Sequence, residues 1–370
     1  MKHDAVVIGG GVIGASVAHA LAADGLRVTV LERAVIGGGT TAAGMGHIVV
    51  MDDSEAQFAL TAGSRALLDA LLPELPAAVE YERCGTLWVA EDETQLAAVK
   101  AKHAYYGERG VRTELLDAKQ LAEAEPNLRA GLVGALRVPD DGVLYPPALA
   151  RVLLERARQR GCTVRHAEVR RIEPRAVVTD EGRIEADIIV NAAGAAASLL
   201  TPEIPIVPRK GHLIITDRYP SYAHHQLVEL GYLTSAHSMN AASVAFNLQP
   251  RQTGQMLIGS SRELVGWDAS INREIVKKML ARALDFMPSI GRLSAIRTWT
   301  GFRPTTPDKL PVIGRWEPLD GLWIAAGHEG LGITTALATG QIIADLIAGR
   351  ESFIDATVFS PMREIAVEAH

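Results

Sequence analysis

Gly9, Gly11 and Gly14, followed 18 residues later by Glu32, are the residues of this 370-residue chain whose spacing carries the clearest chemistry. Gly9 can form a tight turn, Gly11 admits a diphosphate close to the backbone, and Gly14 lets a helix and a strand pack closely. Val12 and Ile13 fill the same turn, where the free N–H groups of a starting helix would face phosphate oxygens. Glu32, with Arg33 beside it, ends the unit as an acceptor for ribose hydroxyls. The flanking residues supply the elements this arrangement needs. Ala5-Val6-Val7-Ile8 reads as a buried strand, Ala15 to Ala23 as a helix, and Arg27 to Leu31 as a second strand. The pattern predicts a βαβ unit that holds an adenine dinucleotide. A glycine-rich turn in some other α/β protein is the competing reading.

That motif suits NAD and FAD equally; the segments beyond it favour FAD. From Gly37 to His47 the chain is small and hydroxyl-bearing, and Thr40, Thr41, Ala43, Gly44, Met45, Gly46 and His47 could run along an extended ligand. Near the other end, Leu322 to Ala326 reads as a strand. It leads into Gly327-His328-Glu329-Gly330-Leu331-Gly332-Ile333-Thr334 and then a helix to about Leu346. A second helix N-terminus would thus point into the middle of the protein, where its positive end suits the N1/C2=O edge of a reduced, anionic flavin. His47 could hydrogen-bond flavin or substrate, and His328 could cap the pyrimidine edge. For each, a hydrogen-bonded structural histidine is the alternative. Glu329 could hold its own loop or face a substrate amine.

Composition narrows the classes. The chain is 48% hydrophobic and 22% charged with a net charge of −6, so it forms an ordinary core and lacks the basic footprint of a nucleic-acid binder. Cys84 and Cys162 are too few for a disulfide framework, which suits a cytoplasmic location. The apolar N-terminal stretch is interrupted by the glycine motif, so it is expected to be structure rather than a leader, and no membrane span is expected. His224, His225 and His237 lack partners at ligand spacing, so no metal is expected. No G-x-S-x-G elbow is present, which argues against a hydrolase.

The GGGVIG…LER start and the G-T-T-A-A-G-M loop are accompanied by Gly301-Phe302-Arg303-Pro304 with Leu310-Pro311-Val312-Ile313-Gly314, and by A-A-G-H-E-G-L-G-I-T. Together, along essentially the whole chain, these resemble the D-amino-acid oxidase superfamily of FAD-dependent oxidoreductases. Within it, Met45 to Asp53 and the G-H-E-G-L-G loop look most like the bacterial D-hydroxyproline dehydrogenases. The resemblance implies that Arg303, a planar guanidinium suited to bidentate contact, grips a substrate carboxylate. It also implies that Val169 presents its backbone to the adenine. Ala193 and Gly194, after a strand ending at Val190, would close over the adenosine side. Tyr145 and Tyr232 are candidate walls for an amine substrate. The implied reaction is oxidation of a D-configured amino or imino acid, foremost cis-4-hydroxy-D-proline to the cyclic imine, by hydride transfer from Cα to flavin N5. A glycine or sarcosine oxidase, or an FAD-bearing subunit of a hetero-oligomeric dehydrogenase, is the alternative. The electron acceptor (quinone, electron-transfer subunit or oxygen) and the homo- or hetero-oligomeric state stay open.

The expected fold is α/β: a Rossmann-like FAD domain of the glutathione-reductase type with an inserted antiparallel-sheet substrate domain. The FAD domain would take 1–80, 141–203 and 301–370, and the substrate domain 81–140 and 204–300. Between Gly85 and Pro139 the pattern reads strand, helix, helix, strand. A helix follows from Tyr145 to Arg160, with strands near Val164–Ile172, Ala176–Thr179 and Ile184–Val190. Further strands are expected at Gly211–Thr216, Gln226–Tyr232, Ala242–Leu248 and Gln255–Gly259, with a helix at Asn272–Met287.

Overall fold

A computed structural model describes residues 3–230 and 242–365; Tyr232 and His237 lie outside them. Two eight-stranded sheets organise the described residues. In the first, His3–Ile8 sits centrally, with Val28–Glu32 and Thr163–His166 on one side and Gly182–Asn191, Leu322–Ala326 and Val312–Arg315 on the other. All these neighbours are parallel except the last pair, Val312–Arg315 with Leu322–Ala326. The central strands are near-continuous Val/Ile/Ala runs, as a sheet covered on both faces requires. The covering helices on one face include Val12–Ala23, Glu55–Leu71, Pro146–Gln159 and Gly332–Ile347, whose apolar faces merge into one buried cluster.

The second sheet runs Ala295–Thr305, Val207–Thr216, Met256–Arg262, Ser243–Pro250, Gln226–Glu229, Thr86–Ala90, Gly134–Val138, Glu114–Asp117. The two sheets correct three sequence expectations. Gln226–Glu229 pairs with Thr86–Ala90 in parallel, so the sheet is mixed rather than wholly antiparallel. Glu114–Asp117 is an extra strand, missed because it is an exposed edge with little apolar alternation. The run expected as one strand from Val164 to Ile172 is two: it leaves the parallel sheet after His166 and enters a hairpin at Val169. The helix Arg273–Phe286 covers the second sheet, capped by the Asn272 side chain and stacked through Phe286 on Phe246 at 4.6 Å. No helix among the described residues is long and apolar enough to cross a membrane.

Candidate functional site

A cleft of about 540 Å³ lies where the two sheets meet, lined by residues of both. The glycine turn builds its middle. A Cβ on Gly14 would collide with the Gly9 carbonyl oxygen, so only glycine lets the helix start this close to the strand. The Glu32 carboxylate accepts from Gly10 N–H at 2.6 Å and Ala34 N–H at 2.8 Å, bracing the turn while lining the cleft. Thr41 Oγ1 accepts from Val12 N–H at 3.0 Å, satisfying one open donor of the first helix.

The segment from Thr40 to His47 bridges the sheets. The Thr40 hydroxyl donates to the Phe302 carbonyl at 2.7 Å, Trp299 Nε1–H donates to the Ala43 carbonyl at 3.2 Å, and Gly46 N–H donates to Gln249 Oε1 at 2.7 Å. From the C-terminal helix, the Thr334 hydroxyl donates to the His47 carbonyl at 2.8 Å. Each bond crosses more than two hundred residues of sequence.

Most residues expected at the site line this cleft: Gly9, Gly11, Val12, Ile13, Glu32, Arg33, Thr40, Thr41, Ala43, Gly44, Met45, His47, Val169, Ala193, Gly194, Arg303, His328, Glu329, Gly330, Gly332 and Ile333. Others stand behind it. Gly14 and Gly46 provide close approach, the latter to the Leu144 carbonyl, and Gly327 packs on the Thr306 methyl. Leu331 precedes the last helix and packs into the core, and Thr334 holds the His47 strand. Tyr145 is not among the residues lining the cleft. It is the residue before the helix Pro146–Gln159, and its ring lies 5.1 Å from the Arg251 guanidinium, outside the cleft lining.

At the end formed by the second sheet, charge is concentrated. Arg303 Nη1 donates to the Ser261 carbonyl at 2.9 Å. Glu329 Oε1 lies 3.6 Å from Arg262, 3.9 Å from Arg209 and 4.0 Å from Arg303. Burial alone would raise the Glu329 carboxyl, but the guanidinium groups of Arg262, Arg303 and Arg209 prevail and hold it below the usual carboxylate range. Three guanidinium groups around one carboxylate leave this corner electropositive, suited to an anionic ligand. His47 and His328 are both pushed down to about 3 by burial, so neither carries charge at neutral pH. His328 Nε2 meets the Thr339 hydroxyl at 2.9 Å, and that hydroxyl donates to the Thr335 carbonyl at 2.9 Å. His328 therefore carries its proton on Nε2. Both histidines can hydrogen-bond a ligand; neither is poised to change charge near neutrality.

Residues not anticipated from sequence also line this end: Gly211, His212, Leu213, Asn247 and Ser260. Asn247 had a visible signal, since it interrupts the apolar run Ala245-Phe246…Leu248. Gly211 had none, because the need for glycine comes from Arg303 on the paired strand. Cys84 and Cys162 are raised to about 12 and about 11 by burial, so neither is a reactive thiolate.

The slot fits FAD. Its first-sheet end offers Glu32 and Val169, its middle the glycine turn and helix N-terminus, and its far end a second helix N-terminus at Gly332. A family model described as DAO, FAD dependent oxidoreductase, matches residues 4–346. The chain is 30% identical to glycine oxidase from Pseudomonas aeruginosa, over 98% of this chain and 99% of that protein. It is 34% identical to D-amino acid dehydrogenase from Xanthobacter autotrophicus, over 82% of this chain and 73% of that protein. It superposes on the crystal structure of L-proline dehydrogenase from P. horikoshii with a TM-score of 0.87 and 27% identity, covering 97% of each chain. With the glycine turn, the bridging loop and the C-terminal helix all on one cleft, the chain belongs to the DAO family of FAD-dependent oxidoreductases.

Proposed function

We propose that this FAD-dependent amino-acid oxidoreductase acts on a D-configured amino or imino acid, with cis-4-hydroxy-D-proline as the substrate and the cyclic imine as product. Arg303 carries the reading. Its guanidinium lines the cleft and is fixed by the Ser261 carbonyl. A planar fork held this way binds a carboxylate through two parallel bonds, which sets the substrate's Cα relative to the rest of the slot. When bound, FAD supplies the acceptor, N5, for the hydride that leaves Cα. The protein's part is orientation and charge: the amine reacts in its neutral form, and His47 and His328, both in the cleft lining and uncharged, add no positive charge there.

The likeness to an L-proline dehydrogenase supports a ring secondary amine, and the likeness to a D-amino acid dehydrogenase supports the D hand. The full-length likeness to a glycine oxidase favours a second reading, oxidation of glycine or sarcosine with oxygen as acceptor. The electron acceptor in the first reading is a quinone, an electron-transfer subunit or oxygen.

The test is anaerobic mixing of the purified flavoprotein with cis-4-hydroxy-D-proline, D-proline, sarcosine and glycine, followed by flavin absorbance. Fast bleaching by the D-proline compounds is expected. Bleaching only by glycine or sarcosine, with prompt recovery in air, transfers the assignment to the oxidase.

A further inference from the structure

Asn247 and Ser260 are 4% and 3% exposed, line the cleft, and leave Asn247 Oδ1 and Ser260 Oγ without a hydrogen-bond partner. A buried polar atom without a partner costs about 1–3 kcal/mol unless a ligand completes it. Both atoms belong to the sheet that supports Arg303, not to the dinucleotide cradle. In the ladder, Asn247 stands opposite Gly259, whose neighbour is Ser260. The next residue, Ser261, gives its carbonyl to Arg303. On the other side, the site for a Cβ on Gly259 lies 3.2 Å from the Met45 methyl, two residues before His47, whose Nε2 is also buried without a partner. The orphaned atoms thus sit along the strands from the guanidinium expected to hold the carboxylate.

We propose that Asn247 and Ser260 form a hydroxyl-recognition subsite that selects a hydroxylated ring over the unsubstituted one. The inference rests on the functional reading above. The chemistry is reciprocal. A substrate hydroxyl donates to Asn247 Oδ1 and accepts from the Ser260 hydroxyl, completing two groups that the protein itself leaves open. An apolar ring carbon at the same place would leave both groups dehydrated and unpaired. That asymmetry is how a site built around hydrogen bonds discriminates against an analogue lacking the group. His47, which also lines the cleft, has a buried Nε2 without a partner.

The experiment compares kcat/KM for cis-4-hydroxy-D-proline and D-proline in the flavin-loaded wild type, Asn247→Ala and Ser260→Ala. Flavin absorbance and thermal unfolding report that each variant is intact. The wild type is expected to prefer the hydroxylated ring. Each substitution should lower kcat/KM for it by about tenfold or more while D-proline changes by less than about threefold. An equal loss for both compounds, or an unchanged preference in both variants, overturns the subsite while leaving the ring-amine assignment intact. Oxidation of neither ring compound by the wild type overturns the functional reading, and the subsite falls with it.

Discussion

A Cβ on Gly340 would lie 2.6 Å from the Ser16 carbonyl oxygen, so the helices Val12–Ala23 and Gly332–Ile347 cross in backbone contact. This crossing ties together the two helix N-termini that line the cleft, one from each end of the sequence. Gly340→Ala should push the helices apart at a cost of about 1–3 kcal/mol, since overpacking at such a contact outweighs the gain in helix propensity. Urea unfolding should show a lower midpoint, and the purified variant should retain less flavin. A variant as stable and as yellow as wild type would show that the crossing tolerates a methyl group.

Gly211 makes room for Arg303. A Cβ there would strike the guanidinium and lie 2.9 Å from the Ser261 carbonyl. Gly211→Ala is expected to displace the anchor and raise KM for amino-acid substrates, with FAD absorbance unchanged. Arg303→Lys, which replaces a fork with a point charge, should lose about 1.5–3 kcal/mol of binding, roughly ten- to a hundredfold in kcat/KM. Unaltered kinetics in both variants would remove Arg303 from the carboxylate site.

Glu329 is the counter-charge to Arg209, Arg262 and Arg303. Its carboxyl is held below the usual range, so it contributes stability above the ordinary carboxylate pKa of 4.5 and loses it as pH falls further. Glu329→Gln should flatten the acid limb of the stability curve and weaken substrate binding by letting Arg303 reorient. The check is thermal unfolding from pH 3 to pH 8 beside KM at neutral pH. An acid limb unchanged from wild type would show that this carboxylate is not coupled to the arginines.

His328 behaves oppositely to an exposed histidine. Its pKa in the fold is about 3 against 6.5 unfolded, so the unfolded chain takes a proton that the native state refuses. Stability therefore falls as pH drops from 6.5 towards 3, by about 2 kcal/mol at pH 5. His328→Asn should reduce that slope between pH 7 and pH 5 in urea titrations. The same slope in the variant would mean that other groups carry the acid sensitivity. Since His47 is equally depressed, no inflection in the kcat/KM profile between pH 5 and pH 8 is expected from either ring.

Local pattern alone determined much of this molecule. The strand, glycine turn, helix, strand and acid ending at Glu32 are contiguous, so each part's requirement is visible within about thirty residues. The same holds for Leu322–Ala326 and the helix after it, and for the helices Pro146–Gln159 and Arg273–Phe286, whose apolar periodicity and starting residues are local signals. The importance of Arg303 came from resemblance and that of Glu32 from its motif. Only the tertiary structure decided which distant groups meet. Arg209, Arg262 and Glu329 converge because paired strands and a loop bring them together. Gly211 matters because Arg303 occupies the space its side chain would fill. Asn247 and Ser260 gain meaning from what they lack, a partner, and the Tyr145 ring lies beside the Arg251 guanidinium rather than among the cleft-lining residues. Spacing along the chain encodes backbone geometry; side-chain company at a cleft is set by sheet register and by the contacts between layers.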